Sequence, residues 1–438
     1  MGQWIEMLDR LVWGPGLLAA LLLTGGMLTV RLHGLPWRRL PWALGQALQP
    51  GGACGPGLSP FQALMTSLAA TVGTGTIVGV ASAMVLGGPG ALAWMWLSAA
   101  AGMATKFAEC TLASYWRTPA GRGGPMRVLQ EGVGGRLGRV LAVLWAGFAL
   151  CAAFGIGCLT QTNALAEIAQ RRFGLPPLWV GLALAALSLA VLAGGAGRVG
   201  TVCGALVPVM GLVYLAAALA ALLRGRAGLA AAFAEVLTGA VRPGDWQRAA
   251  RWGIACGVFS HEAGLGSAGI AAAAARTDHP ARQGYVAMTG VFLDAMVLCT
   301  LTGLVLAVSG VLGRAGAPDG LAARAFGQLL GPAGALAVDL SLGLFALSTL
   351  LGWEFYGEAA LSFLTDGRGC GLYRLAWCAA ALAGACLPLR RAWTAAELCN
   401  GLLTLPNLAA LWMLHGQVER LCREFEGMRF EEKRNAPR

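Results

Sequence analysis

Apolar residues run along most of this chain in stretches long enough to cross a lipid bilayer as helices. A stretch of roughly 20 apolar residues spans the hydrocarbon core. Each stretch here is continuously apolar, which favours helices over the alternating strands of a membrane barrel. The stretches cover residues 11–31, 60–86, 91–115, 138–166, 177–196, 201–224, 251–275, 285–312, 334–363, 372–389 and 394–415. The pattern predicts an all-α integral membrane protein with about 11 transmembrane helices.

Composition and charge support this class. The 438 residues are 57% hydrophobic and only 12% charged, and the mean hydropathy is +0.65. Soluble domains have about 25% charged residues. If the N-terminus lies outside and the C-terminus is cytoplasmic, most Lys and Arg residues fall on the inner side, as the positive-inside rule requires. We therefore expect a multi-pass protein of the cell inner membrane, and its net charge of +11 does not indicate nucleic acid.

Two of the apolar stretches are interrupted by short polar segments rich in glycine. The first interruption is Gly73-Thr74-Gly75-Thr76, and the second is the segment 260–267, with the sequence SHEAGLGS. Irregular backbone at bilayer depth is tolerated only where protein or a wet cavity satisfies its hydrogen bonds. A matched pair of such breaks is the best sequence indicator of the substrate site in a secondary transporter.

The two breaks also divide the chain into two sets of five spans. Residues 60–224 form the first set and residues 251–415 the second, and the linker 225–250 between them is expected outside the cell. Five is an odd number, so the second set enters the membrane from the opposite side, which predicts an inverted repeat. Residues 1–59 supply a lead span with a cytoplasmic linker, and residues 416–438 an amphipathic cytoplasmic tail.

The breaks suit a zwitterionic ligand. Backbone N–H groups at a helix N-terminus have partial positive charge and bind carboxylates. The carbonyl groups that a break leaves free suit an ammonium group or a small hard cation. A free amino acid has both an anionic and a cationic end, so it matches this arrangement.

Longer motifs resemble the alanine/glycine:cation symporter family, whose members include sodium:alanine symporters. They are TVGTGTIVGVA at 71–81, GMATKFAECTL at 102–112, GGPM at 123–126, FGIG at 154–157, EAGLGS at 262–267 and STLLGW at 348–353. The resemblance extends from about residue 10 to 415. It implies a LeuT-like five-plus-five fold with one extra N-terminal span, and sodium-coupled uptake of alanine, glycine or similar small amino acids.

The resemblance also implies site residues. Main-chain groups of the first break would bind the substrate carboxylate, Gln161 would offer its amide, and Trp353 would limit the pocket volume. The implied substrate-binding residues are Gly73, Thr74, Gly75, Thr76, Gln161, Phe259, Ser260, His261, Thr349 and Trp353. The implied sodium ligands are the carbonyl groups of Ala69, Ala70 and Gly73 with the hydroxyls of Ser348 and Thr349. The two hydroxyls could instead bond to their own helix.

Three positions depart from the family pattern. Family members usually have asparagine where this chain has Thr76 and His261, and arginine where it has Cys256. His261 could act as a neutral hydrogen-bonding substitute for asparagine. Histidine also titrates near neutral pH, so the change could make transport sensitive to pH, or the substrate preference could differ.

Charged residues inside apolar spans are costly and are functional or packing candidates. Lys106 and Glu109 lie three residues apart on one helix, which predicts an ion pair. Glu262 is expected to hold the second break. Asp294 is a further acid of this kind.

Two regions near the predicted inner surface contain polar and amphipathic sequence. For the loop around Asp278, His279 and Arg282, a gate latch and a simple solvated role both remain open. In the tail, an apolar helical face is expected to rest on the inner membrane surface, and a solvated tail with no role is the alternative that stays open. That face comprises Val418, Leu421, Phe425 and Met428.

Other classes fit less well. His261-Glu262 lacks the second histidine of an HExxH zinc motif, so an enzyme is not expected. A channel would also use polar breaks, but it would conduct without saturable, coupled uptake. The alternative that stays open is a proton-coupled or pH-sensitive carrier of a different small amino acid. Expected partners are a small amino acid, sodium and the lipid bilayer; no cofactor beyond the coupling ion is expected, and the oligomeric state is left open.

Overall fold

The computed structural model describes residues 7–8, 11–49, 57–314, 320–387 and 390–435. Helices account for nearly all of this part of the chain, which confirms the all-α class. In chain order they are α1 (Pro15–Arg31), α2 (Leu35–Arg38), α3 (Leu40–Ala47), α4 (Pro60–Thr71), α5 (Gly75–Gly87), α6 (Ala91–Tyr115), α7 (Gly135–Phe173), α8 (Pro177–Leu192), α9 (Gly195–Arg224), α10 (Arg226–Val241), α11 (Trp246–His261), α12 (Ala268–Ala273), α13 (Pro280–Ser309), α14 (Leu321–Leu330), α15 (Pro332–Leu364), α16 (Cys370–Cys386) and α17 (Arg390–Asn435).

Several of these helices are long and apolar enough to cross a bilayer. Among the described residues, α7, α9, α13 and α15 meet this criterion singly, and α4 with α5 meets it as one bent span. Shorter apolar helices are α1, α8 and α16. Each predicted apolar stretch contains a helix, while the count of about eleven spans and the inverted-repeat boundaries stay predictions.

The first broken helix consists of α4 and α5. Ser59 begins α4 with a reciprocal capping box to Gln62, and Pro60 occupies the first turn, where its missing N–H costs nothing. Helical geometry ends at Thr71, and the chain resumes at Gly75 with a π-helical turn. The two helices meet at 54°.

The second broken helix consists of α11 and α12. α11 ends at His261, and Glu262 has a φ of 52°, a left-handed value that is uncommon for any residue with a side chain. Gly264 and Gly266 follow with φ values of 103° and 83°, which glycine adopts without steric cost. These three residues turn the chain before α12 begins. The chain is thus interrupted within both predicted segments, but each interruption is offset: Thr76 already belongs to α5, and Ser260 and His261 still belong to α11.

The breaks lie between two long helices. α6 packs against α1, α11, α12 and α13, whereas α15 packs against α4, α7, α9 and α16. Both broken helices therefore have their interrupted segments inside the protein, and the described residues of both breaks are buried.

The second half of α17 contradicts one expectation. Val418, Leu421 and Phe425 are at most 3% exposed, because this face packs on the protein itself. The ring of Phe425 lies 5.8 Å from that of Trp42 in α3 and 5.9 Å from that of Tyr285 in α13. The prediction that this face rests on the membrane surface is wrong; of the four residues, only Met428 is exposed.

Candidate functional site

The two breaks are neighbours in space. A Cβ atom placed on Gly75 would lie 3.1 Å from Cδ1 of Phe259 and 3.4 Å from Cα of Ser260. A side chain at position 75 would therefore crowd the second broken helix. Glycine at this position permits the close approach of the two breaks.

A buried carboxylate joins the two breaks. The Thr76 hydroxyl donates to Oδ1 of Asp294 at 2.7 Å, and the Ser260 hydroxyl donates to Oδ2 at 2.7 Å. Asp294 lies in α13 and is fully buried. The sequence identified Asp294 only as an acid inside an apolar stretch, like Glu109 and Glu262, and gave no sign of its two partners.

The residues implied for sodium lie together where α4 meets α15. The Thr349 hydroxyl donates to the Ala69 carbonyl at 3.1 Å, and Ser348 does so at 3.3 Å. Ser348 also bonds to the carbonyl of Phe345 in its own helix at 2.8 Å. A Cβ on Gly73 would lie only 2.5 Å from Oγ1 of Thr349.

The neighbouring turn of α15 approaches the same part of α4. A Cβ on Gly352 would lie 2.7 Å from the backbone nitrogen of Ala70, so the two helices touch here without intervening side chains. All five residues of the implied sodium set therefore lie at one contact between α4 and α15.

Gln161 points at the first break from α7. Its amide nitrogen lies 3.4 Å from the Thr74 hydroxyl and 3.0 Å from the carbonyl of Ile156. The carbonyl of Ile156 is in a π-helical turn over Ala153–Leu159, a feature common at functional sites. The side-chain oxygen of Gln161 is buried and has no hydrogen-bond partner in the described part of the chain.

Trp353 contacts the second break. Its indole N–H donates to Oε1 of Glu262 at 3.1 Å, and Ser267 donates to Oε2 at 2.7 Å. Gly157 provides the space for Trp353, since a Cβ there would lie 2.2 Å from that of the tryptophan. Glu262 therefore holds the break as expected, with Trp353 as its partner from α15.

His261 faces α6. Its Nδ1 accepts from the backbone N–H of Ala263 at 3.1 Å, and its Nε2 lies 3.0 Å from the Ser98 hydroxyl. A neutral imidazole has one donor and one acceptor, so Nε2 carries the proton and donates to Ser98. The side chain of His261 is thus occupied by structural hydrogen bonds within the protein.

The predicted ion pair between Lys106 and Glu109 is wrong. Glu109 accepts from the backbone N–H of Gly264 at 2.8 Å and from the Asn407 amide at 2.6 Å. The Lys106 ammonium is buried and has no hydrogen-bond partner among the described residues. Glu109 instead stabilises the second break from α6, which a spacing of three residues along one helix could not indicate.

The loop before α13 is attached to neighbouring helices. Asp278 and Arg282 form a salt bridge at 2.7 Å, and Arg282 also donates to Gln46 of α3 at 2.9 Å. The His279 ring stacks on Phe425 of α17, 5.2 Å away, and burial lowers the pKa of His279 below its usual value. These contacts fit a latch better than solvated charge.

Two cavities flank the breaks. The first has a volume of about 630 Å³ and reaches Thr74, Gly75 and Phe259, with Arg251 and Glu397 also in its wall. Cys256, one of the departures from the family pattern, lines it too. The second cavity has a volume of about 520 Å³ and is lined by different residues, among them Leu58, Ile270, Glu354, Glu358 and Ser362.

An all-α membrane protein with two adjacent broken helices and a cavity that reaches the first break belongs, by class, to the secondary transporters. The solved structure of MhsT in complex with L-phenylalanine superposes with a TM-score of 0.59 over 84% of this chain and 96% of that one, at 14% sequence identity. This likeness establishes the fold, which is LeuT-like as expected.

The chain belongs to the sodium:alanine symporter family, whose model matches residues 1–437. The sodium/alanine symporter AgcS of Methanococcus maripaludis is 43% identical over 99% of both chains. The amino-acid carrier protein AlsT of Bacillus subtilis is 33% identical over 85% of this chain and 81% of its own. The family resemblance is confirmed, and the protein is a transporter rather than an enzyme.

Proposed function

We propose that this protein carries alanine, glycine and similar small neutral amino acids into the cell together with sodium, by alternating access across the inner membrane. The observation that supports this most directly is the meeting of the two breaks beside the contact between α4 and α15. Family membership and the close relation to a sodium/alanine symporter agree with it.

The substrate would bind at the first break with its carboxylate on backbone N–H groups. Between Thr71 and Gly75 the helix is interrupted. The Val72 N–H still bonds to the carbonyl of Leu68, whereas those of Gly73 and Thr74 would face the ligand. The buried side-chain oxygen of Gln161 could accept from the substrate ammonium, since it lacks another partner among the described residues. Phe259 would form the apolar wall next to the small side chain of the substrate.

Other residues of the implied set would act indirectly. Thr76 and Ser260 hold the breaks together through Asp294. His261 and Trp353 fix the second break through Ser98 and Glu262. In this proposal these four residues shape the substrate site, and their side chains do not supply its direct ligands.

Sodium would bind at the contact between α4 and α15. The carbonyl oxygens of Ala69, Ala70 and Gly73 and the hydroxyls of Ser348 and Thr349 are hard oxygen ligands, which suit an alkali cation better than nitrogen or sulfur does. The Thr349 hydroxyl presently donates to Ala69; on binding sodium it would rotate to present its lone pairs. Sodium would thus lock α4 against α15 and support the first break.

The two cavities suggest how access alternates. The first cavity reaches the first break and is lined by Arg251, next to the predicted extracytoplasmic linker. The second is lined by Ile270 of α12 and by Gly57 and Leu58, just before α4. With the C-terminus in the cytoplasm, the second cavity opens inward. Alternating closure of the two cavities would carry substrate and sodium across without an open pore.

Uptake of radiolabelled alanine into proteoliposomes tests the proposal. We expect saturable uptake driven by an inward sodium gradient, competed by unlabelled glycine and serine more strongly than by leucine. Replacing sodium with choline should abolish it. Uptake that persists in choline and follows an imposed pH gradient would instead identify the proton-coupled alternative, and an unsaturable flux would identify a channel.

A further inference from the structure

Two carboxyl groups lie side by side in the wall of the second cavity. Glu354 and Glu358 are four residues apart on α15, which places them on one face of the helix, and both line the cavity. The spacing of one helical turn makes their side chains neighbours on that face. Arg374 of α16 donates to the two oxygens of Glu358 at 2.8 and 2.7 Å.

The guanidinium group of Arg374 is therefore paired with Glu358. The other acid, Glu354, is only 2% exposed, and its Oε1 has no hydrogen-bond partner in the described part of the chain. α4, which packs on the same helix, has no charged residue between Pro60 and Thr71. From α16, the Tyr373 hydroxyl donates to the backbone carbonyl of Glu354 at 3.4 Å, and Cys378 is a further titratable group of that helix.

The farther wall of the cavity adds three charged side chains. Arg122, Arg127 and Asp366 line it, and Arg127 already forms a salt bridge with Glu131 at 2.8 Å. Burying a charge without a partner is costly. Two ionised carboxylates one helical turn apart also repel each other, so a buried acid without a cation of its own favours the protonated form.

We propose that Glu354 is a proton-binding site that opens to the second cavity. Arg374 pairs with Glu358 and leaves Glu354 without a cation of its own, which directs the proton to Glu354. On binding, an O–H bond forms on Glu354 with a proton taken from cavity water; on release that bond breaks and the proton returns to the same water. No co-reactant is needed.

The site has a consequence for transport, and this step alone rests on the proposed function. Ser348 of the sodium set and Phe355 of the cavity wall lie seven residues apart, two turns along one face of α15. Loss of the proton leaves a net negative charge beside the cavity into which sodium would leave. The proton on Glu354 would thus set how strongly this cavity attracts the coupling cation.

Infrared difference spectroscopy of the purified protein tests the site without any transport measurement. The signal is the carbonyl stretching band of a protonated carboxyl group, recorded from about pH 5 to about pH 9. The variants are E354Q, which removes the proton site, and E354D, which keeps a carboxyl group if the glutamine variant is unstable. E131Q is the matched control, because Glu131 also pairs with an arginine one turn away.

We expect a band that disappears as the pH rises, is absent from E354Q and persists in E354D and E131Q. In E358Q the band should disappear at a lower pH, because the neighbouring carboxylate is gone and Arg374 is free to pair with Glu354. A wild-type spectrum without the band, or a band unchanged by E354Q, would overturn the proposal. Loss of the band on adding sodium at constant pH would also overturn it, since sodium would then be the occupant.

Discussion

The indole nitrogen of Trp353 lies 3.1 Å from Oε1 of Glu262. Through this hydrogen bond α15 holds the acid that occupies a left-handed position in the second break. The other carboxylate oxygen is bound by Ser267 within the break itself. The geometry of the unwound segment thus depends on a tryptophan from another helix, 91 residues away in sequence.

Trp353→Phe should destabilise the protein while keeping most of the ring volume. It removes the donor and leaves a buried acceptor unsatisfied, which costs about 1–3 kcal/mol. The measurement is the thermal unfolding midpoint in detergent. Trp412→Phe is the control. The indole of Trp412 also donates a hydrogen bond, to Thr24 at 2.9 Å, but the residue is 49% exposed. An equal fall of the unfolding midpoint in both variants would contradict the role assigned to Trp353.

Gly73→Ala should abolish sodium-dependent uptake. The added Cβ would lie 2.5 Å from Oγ1 of Thr349, so the hydroxyl must leave its place beside Ala69. Gly79→Ala in the next helix is the matched control, since nothing lies within 4 Å of a Cβ there although Gly79 lines the first cavity. Sodium titrations of alanine uptake compare the two, and a Gly73→Ala carrier with normal sodium dependence would refute the placement of the cation.

Thr349→Ala should lower the apparent affinity for sodium. Loss of one polar contact to a charged partner costs about 1.5–3 kcal/mol, which corresponds to roughly a tenfold to hundredfold change. Thr238→Ala provides the control, because that hydroxyl is exposed and bonds only to carbonyls of its own helix. If Thr349→Ala leaves the sodium dependence unchanged, Thr349 does not belong to the site.

Thr76→Val should reduce alanine uptake, whereas Thr76→Asn should preserve most of it. Valine has the same shape as threonine but cannot donate to Asp294, so the first break loses its attachment to α13. Asparagine, the usual residue of the family here, still offers an N–H donor. The measurement is the initial rate of alanine uptake by each variant at saturating sodium. Equal rates in the two variants would show that the hydrogen bond to Asp294 is dispensable.

His261→Asn should retain uptake with an unchanged pH profile. Asparagine can supply an acceptor for the Ala263 N–H and a donor for Ser98, which are the roles of the neutral imidazole. Uptake is measured between about pH 5.5 and about pH 8, the range in which histidine ordinarily titrates. A pH response present in the natural protein and lost in His261→Asn would establish His261 as a pH sensor.

The sequence predicted which candidate residues lie together better than it predicted the partners of buried charges. Gly73, Ala69 and Thr349 lie together as the family resemblance implied, and both breaks lie where glycine and polar residues interrupt apolar stretches. The pairing of Lys106 with Glu109 failed, because Glu109 bonds to Gly264 and Asn407 instead. Asp294 was visible as a lone acid, yet its partners Thr76 and Ser260 were not.

The membrane class, the approximate spans and the two breaks followed from the sequence alone, because a bilayer penalises polar side chains and unsatisfied backbone wherever they occur along the chain. These requirements apply at each position of the chain, so the order of polar and apolar residues in the sequence reveals them. Contacts between helices depend on the rotation and crossing angle of each helix in the packed bundle. Only the tertiary structure could therefore decide that Asp294 joins the two breaks, that Trp353 binds Glu262, and that the apolar face of α17 lies against protein.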